Sequence, residues 1–249
     1  MYSDWTTTFF KGLSVEFWVT IAPPPSDAEI EFLRSVFQGN ELLDVACGAG
    51  RYTIPLAQAG YAMTGVDLSD DFLRIAGARC TPLPVGADSV RPIAWEKRDI
   101  RDLPWAARFD GALCFGNSFG YFPRDESREL LRGIARSLKN GAAFVLETGA
   151  TAESLLPALQ RERTIEAGEI VFHSANRYEA SESRLDIEYT FTKGGEHETK
   201  AGTTWVFTAG EVRAMLNDAG LTVENVYASL TRDAFVLGSP RAIFVARKT

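Results

Sequence analysis

The hydrophobic pattern changes period along the chain. Ile30, Leu33 and Phe37 share one helical face behind Ser26 and Glu29, a capping box in which hydroxyl and carboxylate each take up an orphan backbone N–H. Ser26 to Phe37 is therefore expected as an amphipathic helix. Short apolar runs then alternate with helical stretches. Glu41 to Val45 reads as a buried strand, Arg51 to Ala59 as a helix stopped by Gly60 with Pro55 early in it, and Tyr61 to Leu68 as a second strand. Ser69 caps a helix to about Ala78, and Thr81 to Pro92, rich in Pro and Gly, reads as a connecting loop. Ile93 to Arg98, Phe109 to Gly116 and Ala142 to Thr148 are strands three to five. Asp125 to Leu138 is the intervening helix, ended by Lys139-Asn140-Gly141. Strand and helix repeated this way imply a parallel sheet with right-handed crossovers.

From Arg163 to Phe207 the period drops to two, as in Arg184-Leu185-Asp186-Ile187-Glu188-Tyr189, with a turn at Lys193-Gly194-Gly195. This predicts an antiparallel meander of three or four strands with one wet face. Thr208 to Ala219 returns to helical spacing, with Glu211 completing a second capping box, and Gly220 stops it. Leu221 to Ala228 and Ala242 to Lys248 are the last two strands, expected as a hairpin with the final strand antiparallel to the rest. Before all of this, Met1 to Ala22 carries Tyr2, Trp5, Phe9, Phe10, Phe17 and Trp18, and Pro23-Pro24-Pro25 ends any helix there. Terminal aromatic surface of this extent must pack, either into the main core or as a lid over a ligand.

Bulk properties narrow the function. With 249 residues and 45% hydrophobic content the chain buries one large core, most simply one domain with an elaboration. A net charge of −7 without a Lys/Arg run argues against a nucleic-acid partner. Cys47, Cys80 and Cys114 form no spaced framework, and the two histidines build no usual metal centre. No apolar run reaches transmembrane length, so no membrane partner is expected and a cytoplasmic setting is the expectation.

The chemistry concentrates where the first strand breaks into Ala46-Cys47-Gly48-Ala49-Gly50. A Gly-x-Gly turn between strand and helix lets main chain approach a ligand more closely than side chains elsewhere permit, which suits a nucleoside-bearing cofactor. Asp67 ends the second strand, where a carboxylate accepts from two vicinal ribose hydroxyls; otherwise it is an acid at a helix N-terminus ahead of Ser69. Dinucleotide enzymes carry a third glycine three residues on, and here that position is Thr53, which weakens a pyrophosphate reading.

Asp44, the ACGAG turn and Asp67 together resemble motif I and its following acid in the class I S-adenosylmethionine-dependent methyltransferases, small-molecule type, whose cofactor has no phosphate. The resemblance implies a doubly wound, mostly parallel seven-stranded α/β sheet with an antiparallel last strand, plus an inserted antiparallel β cap after strand five. It divides the chain into an aromatic segment or lid (1–25), a cofactor-binding domain (26–150 and 208–249) and a substrate cap (151–207). Such a cap is similar to that of bacterial small-molecule methyltransferases, including amino-sugar N-methyltransferases. Ala46 stands where the family often has glycine, which bears on backbone approach there.

Around S-adenosylmethionine the resemblance places Asp44, Ala46, Cys47, Gly48, Asp67, Leu68, Asp99, Ile100, Phe115 and Asn117. Asp99 would accept from the adenine amine while Ile100 packs on the ring, with Asp102 the competitor; alternatively Asp99 is a loop acid near Arg98 and Arg101. Asp44 would face the cofactor's amino end or simply cap its strand. Asn117 is not followed by the prolines found in enzymes that methylate base or protein amides, which favours a small metabolite; it is near the transfer point or else an ordinary turn residue. Trp5, Phe9, Asn117 and Tyr121 are the acceptor candidates. If the acceptor is an ammonium or a hydroxyl, its proton would leave by a water path or through His173, Tyr121, Glu147 or His197, of which His173 and Tyr121 are the candidates named for catalysis, although a histidine on a period-two strand is also a packing or solvent-facing residue. The expected reaction is in-line methyl transfer to N or O of a small acceptor by a monomer or homodimer. The alternatives are an NAD(P)-dependent oxidoreductase and a non-catalytic cofactor-binding protein.

Overall fold

A computed structural model describes residues 4–80 and 93–249; the loop expected over Thr81 to Pro92 lies outside the described residues. Two helices open the chain, α1 (Thr6–Phe9) and α2 (Leu13–Ile21), followed by α3 (Asp27–Val36) with both hydrogen bonds of its Ser26/Glu29 capping box in place. The alternating section then runs β1 (Glu41–Val45), α4 (Thr53–Gln58), β2 (Ala62–Asp67), α5 (Asp70–Cys80), β3 (Ala94–Lys97), β4 (Phe109–Cys114), α6 (Arg124–Ser137) and β5 (Leu138–Thr148). After the short α7 (Ala152–Leu155) comes a separate sheet of β6 (Glu162–Ala167), β7 (Ile170–Glu179), β8 (Arg184–Lys193) and β9 (Glu196–Trp205), paired antiparallel in that order. The chain closes with α8 (Ala209–Asp218), β10 (Leu221–Tyr227) and β11 (Ala242–Lys248).

The main sheet has seven strands in the order β10-β11-β5-β4-β1-β2-β3. β11 runs antiparallel to both β10 and β5, while the β4, β1, β2 and β3 pairings are parallel. Period-two burial divides β1 between two cores. Leu43 and Val45 pack with Leu131, Ile134 and Leu216 of α6 and α8, whereas Leu42 packs with Leu33 and Leu56 of α3 and α4. Each of these fully buried leucines contributes on the order of 1.5–3 kcal/mol. The Leu42 face also carries Asp44, so this acid points toward α4.

One boundary differs from the sequence expectation. β5 begins at Leu138, directly after α6, instead of at Ala142. The ladder pairs Phe109 with Leu138 and then Gly111 with Ala143, so Lys139-Asn140-Gly141 is absorbed as an irregularity inside the strand, with Gly141 at φ 79°.

The N-terminal helices enter neither main core. They lie on the inner face of the four-stranded sheet, where Phe17 stacks on Phe172 with centroids 4.5 Å apart and Phe9 meets Tyr189 edge-on at 4.9 Å. A polar clasp completes the contact. Lys200 Nζ donates to Phe9 O at 2.6 Å and Lys11 O at 2.5 Å, and Ser14 N donates to Glu198 at 3.2 Å.

Candidate active site

Beyond the C-terminal end of β1 the chain turns through Ala46 (φ 60°), Gly48 (φ 53°) and Gly50 (φ 76°). Glycine accepts such angles freely, whereas alanine does so at a cost of about 1–2 kcal/mol. The turn is tied to β2: Cys47 N donates to Val66 O at 2.9 Å and Gly48 N to Asp67 Oδ2 at 2.8 Å. A Cβ at Gly48 would meet no atom within 4 Å and would project into open space, as expected of a cradle for a closely held ligand.

Asp67 is buried and its second oxygen accepts from Ser69 N at 2.9 Å. Burial raises its pKa, opposed by the N–H groups of Ser69, Gly48 and Leu68. A carboxylate offers about four lone-pair sites, more than these N–H groups use, so accepting capacity remains for a ligand. Asp44 is more strongly perturbed. Burial, with the field of Asp67 adding to it, pushes its pKa up to about 7, although Thr53 Oγ1 donates to it at 2.6 Å. Thr53 thus has a definite task at the position of the missing third glycine.

Asp99 and Ile100 follow β3. Arg101 holds both Asp99 oxygens, at 3.0, 3.1 and 2.6 Å, and also reaches Asp4 of the N-terminal segment at 2.5 Å. Asp102 is left exposed on the far side of the loop, so of the two acids only Asp99 reaches the site.

These elements surround one cavity of about 1140 Å³. Asp44, Ala46, Cys47, Gly48, Asp67, Leu68, Asp99, Ile100, Phe115 and Asn117 all line it, and so do Trp5, Phe9 and Tyr121. Trp5 stands edge-on to Tyr121 at 4.9 Å, and burial together with the neighbouring Tyr189 raises the Tyr121 hydroxyl pKa, keeping it neutral. Burial likewise pushes up the Cys47 and Cys114 thiols, so neither is a ready thiolate. Asn117 adopts φ 66°, and its Oδ1 accepts from Gly149 N at 2.5 Å, so its carbonyl end clasps the neighbouring loop.

His173 is not brought to the cavity. Phe172 faces inward and pairs with Phe191, so by alternation His173 points outward, where its Nδ1 lies 3.1 Å from Thr164 Oγ1. His197 is likewise exposed beside Thr192, and Glu147 is committed to Gly116 N and Arg241. The expectation of a histidine base is corrected accordingly.

Several lining residues were not anticipated. Leu185, Ile187 and Tyr189 come from the inner face of β8, and Pro23 to Pro25 line the wall where Arg51 Nε donates to Pro23 O at 2.7 Å. The alternation along β8 was legible in sequence; which face would look into the cavity was not.

A doubly wound sheet whose strand ends, glycine turn and acids open into one cavity beneath a β cap defines a nucleoside-cofactor enzyme of the α/β class. Residues 42–141 match the family model described as a methyltransferase domain. The chain is 30% identical over 223 residues, 84% of each chain, to cypemycin N-terminal methyltransferase from Streptomyces sp. It is 30% identical over 192 residues, 74% of this chain and 70% of the other, to dTDP-3-amino-3,6-dideoxy-alpha-D-glucopyranose N,N-dimethyltransferase from Streptomyces fradiae. Among solved structures, the CcbJ methyltransferase from Streptomyces caelestis superposes over 100% of both chains with a TM-score of 0.81 at 20% identity, a likeness of fold. The chain belongs to the S-adenosylmethionine-dependent methyltransferases. Among the described residues no helix is long and apolar enough to cross a membrane.

Proposed function

We propose that the chain methylates the nitrogen of a small amine held between the cofactor floor and the aromatic roof. The observation that carries this reading is the single cavity joining the two. Its 1140 Å³ exceeds the several hundred Å³ typical of one ligand and accommodates cofactor and acceptor together. Nitrogen is favoured over oxygen because the two relatives above carry amine chemistry in their names, N-terminal and N,N-dimethyl.

In this reading Gly48 would present bare backbone to the nucleoside, and the remaining accepting capacity of Asp67 would serve the ribose hydroxyls. Asp99, held by Arg101, accepts from the adenine amine above Ile100, and Asp44, steadied by Thr53, attracts the ammonium of the amino-acid end. Leu68, Cys47, Ala46 and Phe115 exclude water around them. Held by Gly48, Asp67, Asp99 and Asp44, the cofactor would supply a methyl already activated on a sulfonium, which the acceptor nitrogen's lone pair would displace with the S–C electron pair left on sulfur and the amine's proton lost to water. Trp5, Phe9, Tyr121 and Tyr189 orient the acceptor, and the Tyr121 hydroxyl serves as a hydrogen-bonding group, since its raised pKa makes it a poor source of phenolate. Asn117 shapes the transfer end through its clasp on Gly149. The cap and the N-terminal helices act as the lid, and the enzyme works on a freely diffusing small molecule.

The test is release of S-adenosylhomocysteine from panels of amines, phenols and carboxylates, run beside melting curves with S-adenosylhomocysteine and NADH. Turnover confined to amines and stabilisation by S-adenosylhomocysteine are expected. Turnover of phenols or carboxylates without amines overturns the choice of nitrogen, and stabilisation by NADH alone overturns the cofactor assignments.

A further inference from the structure

Among the described residues four large apolar side chains are exposed, and three of them gather at one rim: Leu237 (77%), Val236 (61%) and Leu156 (37%). Gly238 N donates to Glu153 O at 2.9 Å, which seats the 236–238 turn against α7. Leu155, which precedes Leu156, and Pro240, three residues past Leu237, both line the cavity, so the exposed side chains stand beside its wall along the chain. The patch lies at the transfer end: a Cβ on Gly149, the partner of Asn117, would stand 3.1 Å from Pro240 O. The turn is also fixed in shape, because Val236 N donates to Ser239 Oγ and Ser239 N to Val236 O, each at 3.0 Å. Isolated exposed apolar residues are ordinary, but a grouped and immobilised set beside a ligand cavity is a binding surface.

Charge at the cavity points the same way. Of the lining cations among the described residues, Arg51 is held by Pro23 O and Glu29, and Arg79 donates to Ala49 O, both beside the glycine turn. Arg163, exposed and without a partner among the described residues, is the one cation on the cap side. Recognition of a diphosphate draws on several convergent donors. Asp44, Asp67 and Asp99 are taken up by the cofactor side in this reading, Asp44 keeping its proton up to about pH 7 and Asp99 paired with Arg101, while the acceptor end is walled by Trp5, Tyr121, Tyr189, Leu185 and Ile187. An aromatic wall with a single lining cation on its side among the described residues favours an amine and disfavours a polyanion.

Resting on the N-methyltransferase reading, we propose that the acceptor is an amine carried on an uncharged, largely apolar body, and that this body leaves the cavity over the Leu156, Val236 and Leu237 shelf. A nucleotide-linked amine is the competing class.

The experiment compares methyl transfer by the full chain to two sets of primary amines: arylalkylamines and hydrophobic dipeptide amides, against dTDP-linked amino sugars. The uncharged amines are the expected substrates. For them the double variant Val236→Asp, Leu237→Asp raises KM about tenfold while kcat and S-adenosylhomocysteine affinity hold, since the shelf touches only the acceptor body. Both positions are exposed, so folding is spared. Turnover confined to the dTDP-linked amines, with kcat/KM reduced more than about tenfold by Arg163→Ala, overturns the proposal and leaves N-methylation standing. Intact S-adenosylhomocysteine binding with no methylation of any amine overturns both readings together.

Discussion

Replacing Asp67 tests the acid proposed to hold the cofactor's ribose. In the structure its two oxygens accept from Gly48 N and Ser69 N, at 2.8 and 2.9 Å, which fixes the carboxylate plane at the cavity wall. Hydrogen bonds to a charged acceptor contribute about 1.5–3 kcal/mol each; taken near the lower end of that range, because water fills the vacated site, loss of two to the ribose amounts to about 3–4 kcal/mol. S-adenosylhomocysteine should therefore bind Asp67→Ala about 100- to 1,000-fold more weakly by titration calorimetry. Stability responds to two opposed effects. The variant strands two backbone N–H groups but relieves an acid whose ionised form is disfavoured by burial. Melting curves therefore accompany the titration, and Asp67→Asn, which keeps one carbonyl acceptor, serves as the second variant. If either folded variant holds S-adenosylhomocysteine as tightly as the parent, the ribose assignment is wrong and the cofactor lies elsewhere in the cavity.

Three further outcomes are expected. Asp44 keeps its proton up to about pH 7 in the free protein, and a cofactor ammonium selects the ionised form. Affinity should thus rise by up to about tenfold per pH unit between about 5 and 7 and then level off, with a smaller slope in Asp44→Asn because Asp67 still contributes. Because the folded pKa is raised, the stability due to Asp44 in the ligand-free protein is full below 3.8 and is lost as pH rises to about 7; a pH-independent affinity in the parent would contradict this account. Lys200→Met removes the clasp on Phe9 O and Lys11 O, and the roof should loosen by about 1–3 kcal/mol. That would appear as faster hydrogen exchange over residues 9–14 and a higher acceptor KM, with cofactor affinity held; unchanged exchange would show the clasp to be incidental. His173→Ala should leave kcat within about twofold across pH 6–9, and loss of the rise in rate on the acid side of the pH profile would restore histidine as the base.

The floor of the site was legible because its signals are local. The strand, the Gly48 turn, Thr53 and Asp67 lie within 27 residues of one another, and helical period, capping boxes and glycine positions read directly into α3, α4 and α8. Choosing Asp99 over Asp102 depended on a loop conformation set by Arg101, whose ion pairs to Asp4 and Glu126 span distant segments. The strain at Ala46 and Asn117 was likewise invisible, since neither residue announces a positive φ. His173 was misplaced although its orientation was within reach: Ile170 and Phe172 mark the buried face of β7, so their alternate neighbour had to face outward.

The roof was hidden for a different reason. Trp5 meets Tyr121 across more than a hundred residues, Lys200 reaches Phe9 across 191, and Tyr189 enters through the register of a sheet whose faces look alike until one is covered. No periodicity within a single segment encodes such contacts, because each side supplies only half of an apolar surface. Floor and roof nonetheless meet at an identifiable place. Ser69, two residues after Asp67, gives its N–H to that acid and its hydroxyl to Phe10 O at 2.7 Å, while Asp71 accepts from Gly12 N at 3.3 Å. A cofactor that fixes Asp67 therefore also fixes the edge on which the acceptor roof rests. Cofactor binding should precede acceptor binding, and in equilibrium titrations S-adenosylhomocysteine should tighten the acceptor; by linkage the acceptor must tighten S-adenosylhomocysteine by the same factor. Equal acceptor affinity with and without S-adenosylhomocysteine would mean that the Ser69 bridge transmits nothing and that the two halves of the cavity fill independently.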